Sequence, residues 1–148
     1  MKSLNKILCT DTDKTTIIIR FIVGYIFVME GIQKFVYSDE LGVGRFIKIG
    51  IPAPEIMAPF VGVCEIVFGT FILIGFLTRL AAIPQIIIML TALSTTKLSV
   101  LMEKGILTFS HDSRNDLLML FGLIFILIKG AGAFSVDKKI INKTKRVL

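Results

Sequence analysis

The chain has 148 residues, of which 54% are hydrophobic and only 19% charged; with a mean hydropathy of +0.82 it is more apolar than a water-soluble domain of this size has interior to hide. The formal charge of +6 would suit nucleic acid or an anionic surface, but the basic residues flank apolar runs and no aromatic side chains interleave with them, which argues against nucleic acid and for a lipid bilayer. Two cysteines, Cys9 in a polar segment and Cys64 inside an apolar run, make neither a disulfide framework nor a CxxC redox pair.

Residues 1–16 are polar and carry Lys2, Lys6 and Lys14 without an apolar core leading to a cleavage site, so the first apolar run is expected to act as an uncleaved insertion signal. A bilayer core of about 30 Å needs about 20 apolar residues of helix. Residues 17–36, IIIRFIVGYIFVMEGIQKFV, meet that length. Residues 38–55 hold Gly42, Gly44, Gly50, Pro52 and Pro54, a turn-rich connection whose centre, RFIKIGI, suits the membrane interface. A second span covers 56–76, a tight hairpin 77–79, and a third span 80–96, with Pro84 early enough in the helix to cost little. Residues 97–113 read as a polar connection. They contain the single histidine, His111, and without a second one no metal site is expected. The fourth span, 116–134, is purely apolar only over 117–128, and 135–148 form a basic tail.

The predicted fold is therefore all-α: an integral membrane four-helix bundle over 17–134, with no soluble domain. Four spans put both termini on one side, together with eleven of the seventeen basic residues. By the excess of lysine and arginine on cytoplasmic loops, both termini are expected to be cytoplasmic.

Charges inside a span are costly, at about 2.5–3.5 kcal/mol each on insertion scales, so Glu30, Lys34 and Glu65 should turn away from lipid. With Gln33, and with Asn115 and Asp116 at the start of the fourth span, they form a candidate ligand-binding cluster in the outer half of the bundle. Arg20 and Arg79 fall at the cytoplasmic rim. Glu30 and Lys34 have the spacing of a helical ion pair, which would leave Glu65 alone; alternatively Lys34 bridges to Glu65 across helices. Either arrangement can be an ionic lock on packing or a pocket for a small molecule, quinone headgroup or proton. Gly62 and Gly69 share a face with Glu65, and Gly24 and Gly31 share one with Lys34, as close helix packing requires. The hydroxyls of 94–96 are expected to cap the third helix.

These motifs resemble the DoxX family of small bacterial membrane proteins. The likeness rests on RFIVGYIFVMEGIQKF (20–35), the Gly50–Pro52 turn, EIVFGTFILIGFLTRLAA (65–82) and a closing GAGAFSVD (130–137). Asn115–Asp116 stands where many relatives have Asn-Gly. The resemblance implies a four-helix protein of the bacterial inner (plasma) membrane, with relatives that include the small subunit of thiosulfate:quinone oxidoreductase. It marks Arg20, Gly24, Gly31, Lys34, Glu65, Gly69, Gly75 and Arg79 as pattern positions, none with a transferable catalytic role.

The expectation is thus a membrane subunit or anchor of an oxidoreductase system, binding a soluble redox partner and holding a quinone near Lys34 and Glu65. A non-enzymatic scaffold or stress-response factor is the main alternative, and a small-solute or proton transporter a further one that would require a homo-oligomer. No metal cluster or nucleotide loop is encoded, so no intrinsic cofactor is expected; any electron would be carried by a partner or a bound cofactor.

Overall fold

The computed structural model describes residues 11 and 13–147, with side chains to residue 144. Lys2, Lys6 and Cys9, and the side chains of Lys145 and Arg146, lie outside it. The helices are α1 Thr16–Val36, α2 Ser38–Leu41, α3 Val43–Lys48, α4 Pro54–Ile74, α5 Thr78–Thr96, α6 Leu98–Asp112, α7 Arg114–Lys129 and α8 Val136–Val147. The described residues form no strand. Three of the helices, α1, α4 and α5, are long and apolar enough to cross a membrane.

Each long helix buries one stripe at helical spacing. In α1 the stripe is Thr16, Arg20, Val23, Gly24, Phe27 and Gly31; in α4 it is Ala58, Gly62, Glu65, Gly69 and Ile72. In α5 it runs through Thr78, Ala81, Ala82, Gln85 and Met89, and in α7 through Met119, Leu123 and Ile126. Helix α1 packs on α4, α4 on α5, α5 on α7, and α7 back on α1, enclosing a core that includes Phe27, Ile72, Met89 and Leu123. The opposite faces leave Phe21, Ile56, Phe60, Ile87, Phe121 and Ile128 exposed. Apolar surface of that extent belongs against hydrocarbon.

Helix ends follow from local chemistry and shift the expected boundaries. Helix α4 stops at Ile74, two residues early, because Gly75 takes a left-handed φ of 73°. The Gly75 amide then donates to Ile72 O and the Phe76 amide to Phe71 O, a Schellman closure. Helix α7 ends at Lys129 rather than 134 because Gly130 (φ 80°, ψ −156°) leaves the helix. Helix α1 is preceded by Asp13, whose Oδ1 accepts both the amide and the hydroxyl of Thr15 at 2.8 Å. These bonds hold the Asp13 carboxyl below its ordinary range.

The connections hold more helix than their composition suggests. Residues 38–48 form the short α2 and α3. The stretch 97–113, expected as a polar connection, is helical over Leu98–Asp112, with a break at Gly105 (φ 77°, ψ 175°) and no buried residue. Leu98, Leu101, Met102, Glu103 and Lys104 are good helix formers, and Gly105 is the residue that tolerates the break. The basic tail is helical as well.

Candidate functional site

The approach of α1 to α4 creates the site. A Cβ on Gly31 would stand 2.6 Å from Gly62 O, and one on Gly24 would stand 2.8 Å from Gly69 O. The glycines therefore meet in opposite order along the two chains, 24 with 69 and 31 with 62, so the helices are antiparallel and backbone touches backbone. Helical side chains lean toward the N-terminus of their own helix. Lys34 thus leans back toward Gly31 and Glu65 toward Gly62, and in an antiparallel pair those two directions converge.

They do meet: Lys34 Nζ lies 2.6 Å from Glu65 Oε2 and 4.0 Å from Glu30 Oε2. The Glu65 side chain is 5% exposed, Lys34 11% and Glu30 49%. The structure therefore selects the interhelical pair, with Glu30 at its open edge.

Helix α5 supplies a residue that sequence reasoning passed over. Gln85 is fully buried, and its Nε2 lies 3.3 Å from the carbonyl oxygens of Cys64 and Glu65. Its Oε1 is buried without a hydrogen-bond partner, and Glu65 Oε2 meets no donor beyond the lysine contact. The signal was present: an amide in an apolar span at helical spacing from Ala81, Ala82 and Met89.

Gln33 is half-buried on α1 and Asp116 half-buried on α7. Asn115 lines an open cleft of about 210 Å³ with Lys97, His111, Asp112 and Arg114, where Arg114 Nη1 sits 3.0 and 3.2 Å from the two ring nitrogens of His111. No group of three or more His, Cys, Asp or Glu among the described residues is placed to hold a metal ion.

Arg20, expected at the rim, is 2% exposed. Its Nε donates to Ile72 O at 2.8 Å, Nη2 to Leu73 O at 2.9 Å, and Nη1 to Phe134 O at 2.9 Å and to Ala131 O. Ile72 and Leu73 lie in the last turn of α4, where carbonyls lack helical partners and the helix dipole is negative. Arg20 is buried because the turn after α7 folds over it, which depth along a single helix does not reveal. Arg79 instead ties α5 to α7 by donating from Nη2 to Ile128 O at 2.7 Å.

Beside Arg20, the buried Asp137 was missed altogether. Its carboxylate accepts the Leu77 amide at 2.7 Å, the Thr78 amide at 3.0 Å and the Thr78 hydroxyl at 2.9 Å, and its own amide donates to Gly75 O. It caps α5 at the point where Leu77 is held at a positive φ of 45°. Only its place at the end of the GAGAFSVD block marked it.

Comparison with known proteins agrees with a membrane setting. The DoxX family model matches residues 15–98. The uncharacterized membrane protein Rv3486 of Mycobacterium tuberculosis is 46% identical, over 91% of this chain and 86% of that protein. An uncharacterized protein of Haemophilus influenzae is 30% identical over 84% of this chain and 90% of its own. The Bacillus subtilis protein named "Putative oxidoreductase CatD" is 26% identical over 82% of this chain and 84% of its own. No solved structure matches the chain significantly.

Proposed function

The chain belongs to the DoxX family of membrane proteins, and from that premise we propose that it is the membrane-embedded subunit of an oxidoreductase system, holding a quinone headgroup or similar small molecule at the Lys34–Glu65 pair. In this reading α7 is the fourth span. Its 16 residues reach about 24 Å, short of the bilayer core, so its ends sit among headgroups of the bacterial inner membrane. Both termini are cytoplasmic, where the basic residues gather.

The observation that carries the proposal is the ion pair itself. Two charges enclosed between apolar helices cost several kcal/mol each to desolvate, more than a passive anchor needs to spend. Their donor set suits a quinone or quinol. Lys34 can donate to a ring carbonyl, while the buried Glu65 Oε2 and Gln85 Oε1 can accept from ring hydroxyls. A bound quinone would supply two-electron, two-proton chemistry. The chain's own part is to orient the ring, exclude water and hold a proton at Glu65. Glu30, half exposed at the edge of the pair, is positioned to pass that proton outward. The oxidoreductase link is supported by the name of the Bacillus subtilis relative.

Gentle detergent purification followed by mass spectrometry of extracted small molecules and co-purifying proteins tests this. A quinone should accompany the native protein and be lost from Lys34→Ala and Glu65→Ala proteins that remain folded. Native protein that carries no small molecule and no redox partner would overturn it.

A second reading, an ionic lock in a scaffold, is favoured by one feature: at 2.6 Å the pair is already closed. It predicts that an apolar double replacement restores every property.

A further inference from the structure

Helix α8 is strongly two-sided. At about 100° per residue, Val136, Ile140 and Ile141 fall within one arc, while Lys138, Lys139, Asn142 and Lys143 occupy the rest or its edge. Lys139, Asn142 and Lys143 are exposed; Ile140, Ile141 and Thr144 are half-buried. The sequence adds Lys145 and Arg146 in the same helix.

Its position is fixed. Asp137, in the first turn, is buried against the start of α5, so α8 leaves the bundle at the level of the α4–α5 hairpin. Lys129, at the end of α7, lies at this same end, held by Asp11 at 3.1 Å and by the Asp11 amide on its carbonyl oxygen; so does the exposed Lys14, just before α1. Where membrane-crossing helices end, the neighbouring medium is the headgroup layer.

We propose that α8 lies along the membrane surface and binds anionic phospholipid headgroups through Lys138, Lys139 and Lys143, with Ile140 and Ile141 turned toward the apolar side. Amphipathic helices with basic polar faces bind this way, and each lysine at an anionic surface strengthens binding about fivefold. At the level where the spans end, the nearest dense array of anions for these lysines is lipid phosphate. Long lysine stems let Lys143 reach the phosphates from the edge of the apolar arc.

The test is hydrogen exchange on the full chain, one copy per nanodisc, in phosphatidylcholine alone or mixed with phosphatidylglycerol. The α8 amides should exchange at least about tenfold more slowly in the anionic discs, and high salt should remove the difference. The triple variant Lys138→Gln, Lys139→Gln, Lys143→Gln should behave in anionic discs as the native chain does in neutral ones, with α1 and α4 protection unchanged. Should the variant fail to fold, the salt series on native protein decides alone. Equal protection in both lipids would overturn the proposal and assign it to contact with the bundle. Rapid exchange in both would overturn it and leave an acidic soluble protein as the occupant.

Discussion

Asp137 caps a helix that begins 59 residues before it: its Oδ2 takes both the amide and the hydroxyl of Thr78. The first amides of a helix have no internal partner, and here Leu77, at a positive φ, supplies no side-chain cap of its own. Asp137→Ala should cost about 1–3 kcal/mol, and Asp137→Asn, which keeps an acceptor, distinctly less. Thermal unfolding in detergent measures the loss, and faster proteolysis at residues 75–78 should locate it. Equal melting of Asp137→Ala and native protein would refute the capping role.

Arg20→Lys should be nearly as damaging as Arg20→Met. The planar guanidinium serves four carbonyl oxygens from two segments, and a single ammonium cannot reproduce that fork. A loss of at least about 3 kcal/mol is expected, seen as low membrane abundance. Native-like abundance and melting of Arg20→Lys would show that charge alone suffices.

Breaking one side of the Lys34–Glu65 pair leaves the other charge buried, so Lys34→Ala should lose about 3–5 kcal/mol. The double change Lys34→Met with Glu65→Leu should recover most of it. Melting temperatures of the three proteins test the energetics. Retention of co-purified quinone by the stable double variant would detach ligand binding from the pair.

Gln85→Leu removes an amide whose oxygen has no partner and whose donor contacts are long, at 3.3 Å. Stability should change by less than about 1.5 kcal/mol in either direction, while small-molecule retention falls. A variant that loses stability and keeps the ligand would make Gln85 a packing residue.

Gly31→Val would drive a side chain into Gly62 O, which is backbone and yields little. The helices must separate, at a cost of about 1–3 kcal/mol, and the Lys34–Glu65 contact should open with them. Disulfide trapping between engineered cysteines on α1 and α4 reads the separation. Undiminished trapping would mean that α4 shifts without parting from α1.

The long helices were legible because lipid demands uninterrupted apolar length, and their faces because glycine and charge recur at helical spacing. Where α4 and α7 stop was less so, since Gly75 and Gly130 end them by backbone conformation rather than by a change in polarity. Lys34 and Glu65 stand out in sequence as charges in oil. The choice of Glu65 over Glu30 as partner depends on the rotation of α1 against α4, which a single chain segment does not encode. Gln85 escaped notice because an uncharged amide barely disturbs hydropathy. The role of Asp137 was hidden because its partners Leu77 and Thr78 lie 60 and 59 residues earlier in the chain, and α6 because a helix with no buried residue leaves no apolar stripe.

The acceptors for Arg20 come partly from Ala131 and Phe134, which follow it in the chain by 111 and 114 residues. During synthesis, then, the guanidinium meets its α4 acceptors first and gains those for Nη1 only after residues 131–134 have followed. Chains cut short before residue 131 would keep the Ile72 and Leu73 acceptors and leave Nη1 with neither of its own, a buried donor group without a partner.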